Sequence, residues 1–280
     1  MRDDEEVPYR GITADALREV VRLRTPASGV LGWGPALSAR FGYHTPDEWY
    51  EAALASLVSE DTDWLDVGCG WRLLPQNQRL AQLLAARCRS VAGVDPDASI
   101  QRNPLLGEKH QCRIEDLDAD RRYSLISLRM VAEHIANPDA AVAALGRLTA
   151  DGGLVVVYTV HKWAPVSLAT AATPMWLRHK AKRFLWGSHP SDTFPTVFKL
   201  NTRKTLARIF AAHGFREESY SLLDDCRTLQ RWKTCLRAEL SLWRALRAAG
   251  LRYPEVCILG VYRRIAGPAV TSSPVGGSDA

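Results

Sequence analysis

Short apolar runs and helically spaced apolar positions alternate along this chain. Trp64–Val67 and Ser90–Val94 are compact apolar runs that predict buried strands, and the spacing across Leu73–Cys88 predicts a helix between them. The same criteria predict three more helices and two more strands. These are helices over Asp15–Arg24, Pro46–Ser59 and Thr202–His213, and strands over Phe215–Leu222 and Cys257–Tyr262. Strands that alternate with helices indicate an α/β fold.

A glycine-rich turn follows the first of these strands. Gly68 and Gly70 lack a Cβ, so they can adopt left-handed backbone angles and let the main chain approach a ligand closely. The second strand ends in Asp95, whose carboxylate can accept hydrogen bonds from ribose hydroxyls. This layout predicts a nucleoside-binding βαβ unit. It differs from the dinucleotide fingerprint, because Leu73 stands where that motif has its third glycine.

The sequence Asp66-x-Gly68-x-Gly70 resembles motif I of the class I S-adenosylmethionine-dependent methyltransferases. That resemblance implies S-adenosylmethionine as cofactor. It also implies a doubly wound, seven-stranded, mostly parallel sheet with helices on both faces. In that topology the strand over 257–262 lies antiparallel beside strand five.

Later segments resemble the family's further motifs in the same order. Ala92–Asp97 resembles the ribose-binding motif, Cys112–Leu117 the segment that frames adenine, Tyr123–Leu128 strand four, and Leu154–Thr159 strand five. The resemblance implies the following cofactor-binding residues: Asp66, Gly68, Cys69, Gly70, Asp95, Pro96, Ile114, Glu115 and Arg129.

Three regions follow from this organisation. Residues 1–60 are expected to form an N-terminal helical cap or lid, in which Gly29–Gly42 is a candidate mobile lid. Residues 61–264 form the cofactor-binding domain, and residues 265–280 form a disordered tail. An insertion over about 161–200 follows strand five; its aromatic content indicates an ordered segment that determines substrate specificity.

Two histidines are candidate catalytic bases. His134 follows strand four and His161 follows strand five, so both are expected at the sheet edge where ligands bind. Each could instead be structural. The Glu133-His134 pair resembles a metal-binding signature of some relatives, but Met130 stands at its first glutamate position, so no metal is predicted.

The insertion supplies the candidate substrate-binding residues. His189 and Asp192 could hydrogen-bond a polar acceptor while Phe194 closes over it. The alternative is a loop that a proline-fixed turn holds in place. The stretch resembles methyltransferases of bacterial glycan and secondary-metabolite pathways.

Charge divides the chain unevenly. Residues 1–160 hold 17 basic and 23 acidic side chains, whereas residues 161–264 hold 19 and 7. A basic helix over about 227–249 carries Trp232 and Trp243, so it could lie on an anionic membrane, attract an acidic substrate, or pack its apolar stripe on the sheet. Nucleic acid is a weaker candidate partner. The oligomeric state stays open.

The spacing of the cysteines and the hydropathy of the sequence indicate the cellular compartment of the protein. The six cysteines show no CxxC spacing, which favours a reducing cytoplasm over a disulfide framework. No apolar run approaches the roughly 20 residues that span a bilayer. We therefore expect a cytoplasmic protein that could contact the membrane peripherally.

The expected activity is transfer of a methyl group to a hydroxyl of a small-molecule, glycan or lipid-linked acceptor. Methylation of nitrogen or carbon in a secondary metabolite is one alternative. A catalytically silent cofactor-binding scaffold is another, because Arg72, Arg113 and Ser124 depart from the family pattern. The sequence leaves the acceptor unidentified.

Overall fold

Seven strands pair into one sheet in the described part of the chain. The computed structural model describes residues 12–24, 32–164, 196–227 and 230–265. The strands are β1 (Asp63–Val67), β2 (Ser90–Val94), β3 (Glu108–His110), β4 (Tyr123–Arg129), β5 (Thr149–Val160), β6 (Phe215–Asp224) and β7 (Glu255–Arg264). Their order across the sheet is β3-β2-β1-β4-β5-β7-β6. The first five strands, β1 to β5, are parallel, and β7 is antiparallel to both β5 and β6.

Helices cover both faces of this sheet. The α-helices are α1 (Ala14–Arg24), α2 (Trp33–Phe41), α3 (Pro46–Leu57), α4 (Gln78–Arg87), α5 (Pro138–Leu148), α6 (Arg203–Ala212) and α7 (Lys233–Ala248). One core lies under α1, α3 and α4, with Trp64 and Leu84 fully buried. The other lies under α5 and α6, with Leu145 and Phe210 fully buried. The predicted doubly wound α/β fold is confirmed.

The start of α3 follows the local rule that the sequence predicts. Thr45 accepts a hydrogen bond from the Glu48 backbone at 3.3 Å, and the Glu48 carboxylate accepts one from the Thr45 backbone at 2.9 Å. Pro46 occupies the first helical position, where its missing N–H leaves no bond unmade. This reciprocal cap fixes where α3 begins.

The helix after β1 begins later than the apolar spacing predicts. It starts at Gln78, because the Asn77 side chain caps it by accepting a hydrogen bond from the Leu80 backbone at 3.2 Å. Leu73 and Leu74 are buried, but they lie in the preceding turn. Apolar burial in a tight turn therefore imitated a helical pattern, and the prediction of a helix from Leu73 was wrong.

The structure also describes two further segments that the sequence singles out. Most of the segment 29–42 expected to be a mobile lid is helical, because α2 spans Trp33–Phe41 and Gly42 ends it at φ +69°. The basic helix α7 is shorter than predicted and packs mainly against α2. Trp243 of this helix is buried in that contact, edge-to-face against Tyr43 at 5.2 Å between ring centroids.

Candidate functional site

The glycine turn after β1 has a shape that side chains would disrupt. Gly68 has φ +70°, and a Cβ there would lie 2.3 Å from the Val131 side chain. Gly70 has φ +49°, a left-handed conformation that favours glycine, and a Cβ there would lie 3.9 Å from the Ser99 hydroxyl. Cys69 between them is buried against Gly93, and burial raises the pKa of its thiol, so it is a protonated packing residue.

Asp95 connects the end of β2 to this turn. Its carboxylate accepts a hydrogen bond from the Gly70 backbone at 2.9 Å and another from the Asp97 backbone at 2.8 Å. The Asn103 amide donates to the Gly70 carbonyl at 3.2 Å and braces the turn from the other side. A carboxylate has about four acceptor positions, so Asp95 keeps acceptor capacity for ribose hydroxyls.

Asp66 forms a hydrogen bond with a residue of the neighbouring strand β4. Ser127 of β4 lies opposite it in the sheet and donates to its carboxylate at 2.5 Å, and the Trp64 indole donates to Ser127 at 2.7 Å. All three side chains are buried. Burial raises the pKa of the Asp66 carboxyl to about 7, although the Ser127 hydrogen bond and the Arg129 charge act in the opposite direction.

Ile114 and Glu115 lie in a short 3₁₀ turn, Ile114–Asp116, beyond β3. Ile114 is buried and Glu115 is partly exposed. Because β3 is the next strand after β2 in the parallel sheet, this turn lies on the same edge as Asp95. The geometry is compatible with the predicted contact to an adenine ring.

Arg129 ends β4 and contacts α3. Its Nη2 donates to the Asp47 carboxylate at 2.8 Å. Asp47, on the first turn of α3, also accepts from Arg227 at 2.5 Å, and Arg227 forms a two-point pair with Asp225. Neither Asp47 nor Arg227 is among the site residues that the sequence predicts, because no local signal connects residues so far apart.

Glu133 and His134 occupy a 3₁₀ turn after β4 and have separate surroundings. Buried Glu133 accepts a hydrogen bond from Thr159 at 2.6 Å, and its backbone carbonyl accepts from the Val197 backbone at 2.8 Å. Asn201 donates to Thr159 at 2.8 Å. Glu133 therefore fastens the chain returning from the insertion to β5, whereas His134 is partly exposed.

His161 follows β5, the neighbour of β4, and its backbone bonds Val256 at 2.7 Å. Burial lowers the pKa of its imidazole, against the opposing charge of Glu255. The ring is therefore neutral at pH 7, as a base requires. Both candidate bases thus follow carboxyl ends of adjacent strands.

The predicted substrate residues His189, Asp192 and Phe194 lie outside the described residues. Among the residues described, no group of three or more His, Cys, Asp or Glu side chains is arranged to hold a metal ion. None of the described helices has the length and apolar character needed to cross a bilayer.

Comparisons with known proteins identify the family of this chain. A family model described as a methyltransferase domain matches residues 38–220. A ubiquinone biosynthesis O-methyltransferase of Rhodopseudomonas palustris is 28% identical over 147 residues, which are 49% of this chain and 53% of that protein. The equivalent enzyme of Nitrobacter winogradskyi is 30% identical over 161 residues, 54% of this chain and 55% of that protein. The chain thus spans about half the length of these relatives.

A solved S-adenosylmethionine dependent methyltransferase from Mesorhizobium loti is 19% identical, with a TM-score of 0.48 over 78% of this chain and 98% of that one. The family match covers well over half of the chain, so the protein belongs to the methyltransferase-domain family. The left-handed turn at Gly70 and the acceptor capacity of Asp95 suit a nucleoside such as that of S-adenosylmethionine.

Proposed function

We propose that this protein transfers a methyl group from S-adenosylmethionine to a hydroxyl of a small-molecule acceptor. The observation that carries the proposal is the Asp95–Gly70 bond, which joins a strand-end carboxylate to a left-handed glycine turn. The site lies beside the boundary of β1 and β4, where the strand order reverses and such sheets bind ligands. The two O-methyltransferase relatives favour oxygen as the nucleophile.

The proposed cofactor contacts use groups that are already fixed. Asp95 would hold the ribose, the Gly68–Gly70 turn and Asp66 the methionine portion, and Ile114 with Glu115 the adenine. Arg129 would bind the methionine carboxylate. S-adenosylmethionine supplies a methyl group on a sulfonium, which needs little activation.

The protein's own catalytic work is therefore alignment and deprotonation of the acceptor. We assign His134 as the general base, with His161 as the second candidate. Both segments follow strands whose carboxyl ends define the proposed site. The predicted insertion residues His189, Asp192 and Phe194 would contact the acceptor, and residues 1–60 would cover it.

The same cofactor site would serve nitrogen or carbon methylation, which needs a different acceptor and no hydroxyl deprotonation. It would also serve a catalytically silent scaffold. Glycan and lipid-linked hydroxyl compounds remain acceptor classes within the main proposal. Product analysis separates these alternatives, because each places the methyl group on a different atom or on none.

Binding is the first test. Isothermal titration calorimetry with S-adenosylhomocysteine is expected to show micromolar affinity, and Asp95→Ala is expected to weaken binding by about 1.5–3 kcal/mol because charge-assisted hydrogen bonds are lost. Asp97→Ala is the matched control, since Asp97 is exposed and caps only a short 3₁₀ turn. Absence of wild-type binding contradicts the proposal.

Activity is the second test. Labelled methyl transfer would be followed with a panel of phenols and catechols beside amines of similar size. The expected product carries its new methyl on oxygen. Exclusive labelling of the amines would overturn hydroxyl specificity, and binding without transfer to any acceptor would favour the scaffold alternative.

A further inference from the structure

One face of α3 presents acids to two different parts of the site. Asp47 and Glu51 are one turn apart and both are buried. Glu51 bonds Arg24 of α1 at 2.7 Å and Asn77 of the loop before α4 at 3.0 Å, whereas Asp47 bonds Arg129 and Arg227. One turn of α3 therefore bonds α1 and the loop before α4, and the neighbouring turn bonds a pair of arginines.

Arg129 lies beside the glycine turn. Val67 pairs with Leu128 across β1 and β4, so the next step along these parallel strands brings Arg129 level with Gly68. Successive side chains of a strand alternate between the faces, so Arg129 shares the face of Ser127, which contacts Asp66. The charge of Arg129 acts on Asp66.

The two arginines differ in how many donors they have used. Arg227 donates through Nε and Nη2 to Asp225 and through Nη1 to Asp47. The bond from Arg129 to Asp47 uses Nη2. Within the described ranges, no other acceptor is hydrogen-bonded to its guanidinium, which has five N–H donors. Arg129 is therefore the arginine able to bind a further anion.

Asp47 keeps this donor set in place. Burial acts to raise its pKa, but the charges of Arg227 and Arg129 outweigh that effect and hold the pKa below its usual value. The resulting carboxylate bridges two guanidinium groups that would otherwise repel each other. Asp47 also bonds Arg227, which Asp225 already holds in place. This second bond restricts the movement of the Asp47 carboxylate.

We propose that Asp47 is a positioning residue that holds Arg129 for the methionine carboxylate of S-adenosylmethionine. This inference rests on the proposed function. Asp47 touches neither the cofactor nor the reacting atoms; it acts through Arg129. The N-terminal cap thereby contributes to cofactor affinity.

Two ligands distinguish positioning from general stabilisation. S-adenosylhomocysteine has the amino-acid carboxylate, whereas 5′-methylthioadenosine keeps the nucleoside and sulfur and lacks that carboxylate. Asp47→Asn is expected to weaken S-adenosylhomocysteine binding about 10-fold or more, the loss that corresponds to one charge-assisted contact, and to leave 5′-methylthioadenosine affinity nearly unchanged. In an Arg129→Gln background, Asp47→Asn is expected to add no further selective loss.

Glu51→Gln is the matched control, because it removes a buried acid one turn along α3 without touching Arg129. It is expected to leave the ratio of the two affinities unchanged. Asp47→Glu keeps the charge but shifts it by one methylene, and it is expected to weaken S-adenosylhomocysteine selectively by about three-fold. This variant also provides the test if Asp47→Asn does not fold.

Equal weakening of both ligands by the Asp47 variants, or no weakening of either, overturns the inference and makes Asp47 purely structural. These results differ from a failure of the proposed function, in which the wild-type protein binds neither ligand. If the wild-type protein binds both ligands and the variants leave the ratio of the two affinities unchanged, the positioning role is rejected and the proposed function stands.

Discussion

Asp63 and Asp66 stand at opposite ends of β1 and experience opposite environments. At Asp63, burial is outweighed by hydrogen bonds from Ser90 and Arg121 and by nearby arginine charges, so its pKa lies below the usual value. At Asp66, burial dominates and raises the pKa to about 7. A single five-residue strand therefore carries one carboxylate that stabilises the fold at neutral pH and one that destabilises it.

Asp66→Asn is expected to raise Tm at pH 8. The folded-state pKa exceeds the unfolded value, so the stability that Asp66 contributes is present at low pH and is lost as pH rises toward about 7. Each unit of pKa difference corresponds to about 1.4 kcal/mol. Thermal unfolding at pH 5 and pH 8 measures the effect, which should be larger at pH 8.

Asp63→Asn is the control with the opposite sign. Its depressed pKa means that its contribution is present at neutral pH and is lost as pH falls below its ordinary range, so this variant is expected to lower Tm at pH 8. If both variants shift Tm at pH 8 in the same direction, the contrast between the two ends of β1 is wrong.

His134→Ala tests the assigned base. Turnover of a hydroxyl acceptor is expected to fall about 10²–10⁴-fold, because an oxygen nucleophile needs deprotonation. Cofactor affinity, titrated in the same variant, is expected to stay nearly constant. Full activity would transfer the role to His161, and loss of cofactor binding would make His134 structural.

At the scale of elements, α3 shows what a sequence can and cannot predict. Thr45, Pro46 and Glu48 act within one turn, so their capping role is visible in the sequence and is confirmed. Asp47 depends on Arg129 and Arg227, which only the folded sheet brings to it. Local chemistry was predictable, whereas long-range ion pairing was not.

The basic helix α7 leads to a surface prediction. Its buried Trp243 donates a hydrogen bond to Asp224 and packs within the contact between α7 and α2. Lys233, Arg237 and Arg244 are exposed, and Glu239, the acid of this helix, is buried. Any contact of α7 with a membrane would therefore be electrostatic and not an insertion of Trp243.

Sedimentation with anionic liposomes tests that contact. Binding is expected to exceed that to neutral liposomes and to disappear between roughly 0.05 and 0.5 M salt, because the Debye length shortens over this range. Arg237→Glu with Arg244→Glu is expected to abolish it, whereas Lys204→Glu with Arg208→Glu, two exposed positions on α6, changes the net charge equally and is the control. Binding that persists in the double variant would exclude α7 as the contact.

At the scale of the whole molecule, the sheet was predictable because its motifs occur in order. Asp66, Gly68, Gly70 and Asp95 indicate β1, β2 and the edge where ligands bind, and the resemblance supplied the antiparallel position of β7 beside β5. The sequence did not predict that α7 packs on α2, because an apolar stripe fits either a helix or a sheet. Shape complementarity, absent from a linear pattern, decides between them.

The position of β7 has a consequence for how this protein is made. β7 is the last strand along the described chain, yet it lies between β5 and β6. Until residues 255–264 have been synthesised, β5 presents an edge of unpaired N–H and C=O groups to other chains, and β6, which pairs with β7 in the described sheet, has no strand partner. A polypeptide that ends before Glu255 would therefore expose the edge of β5 and be prone to aggregation.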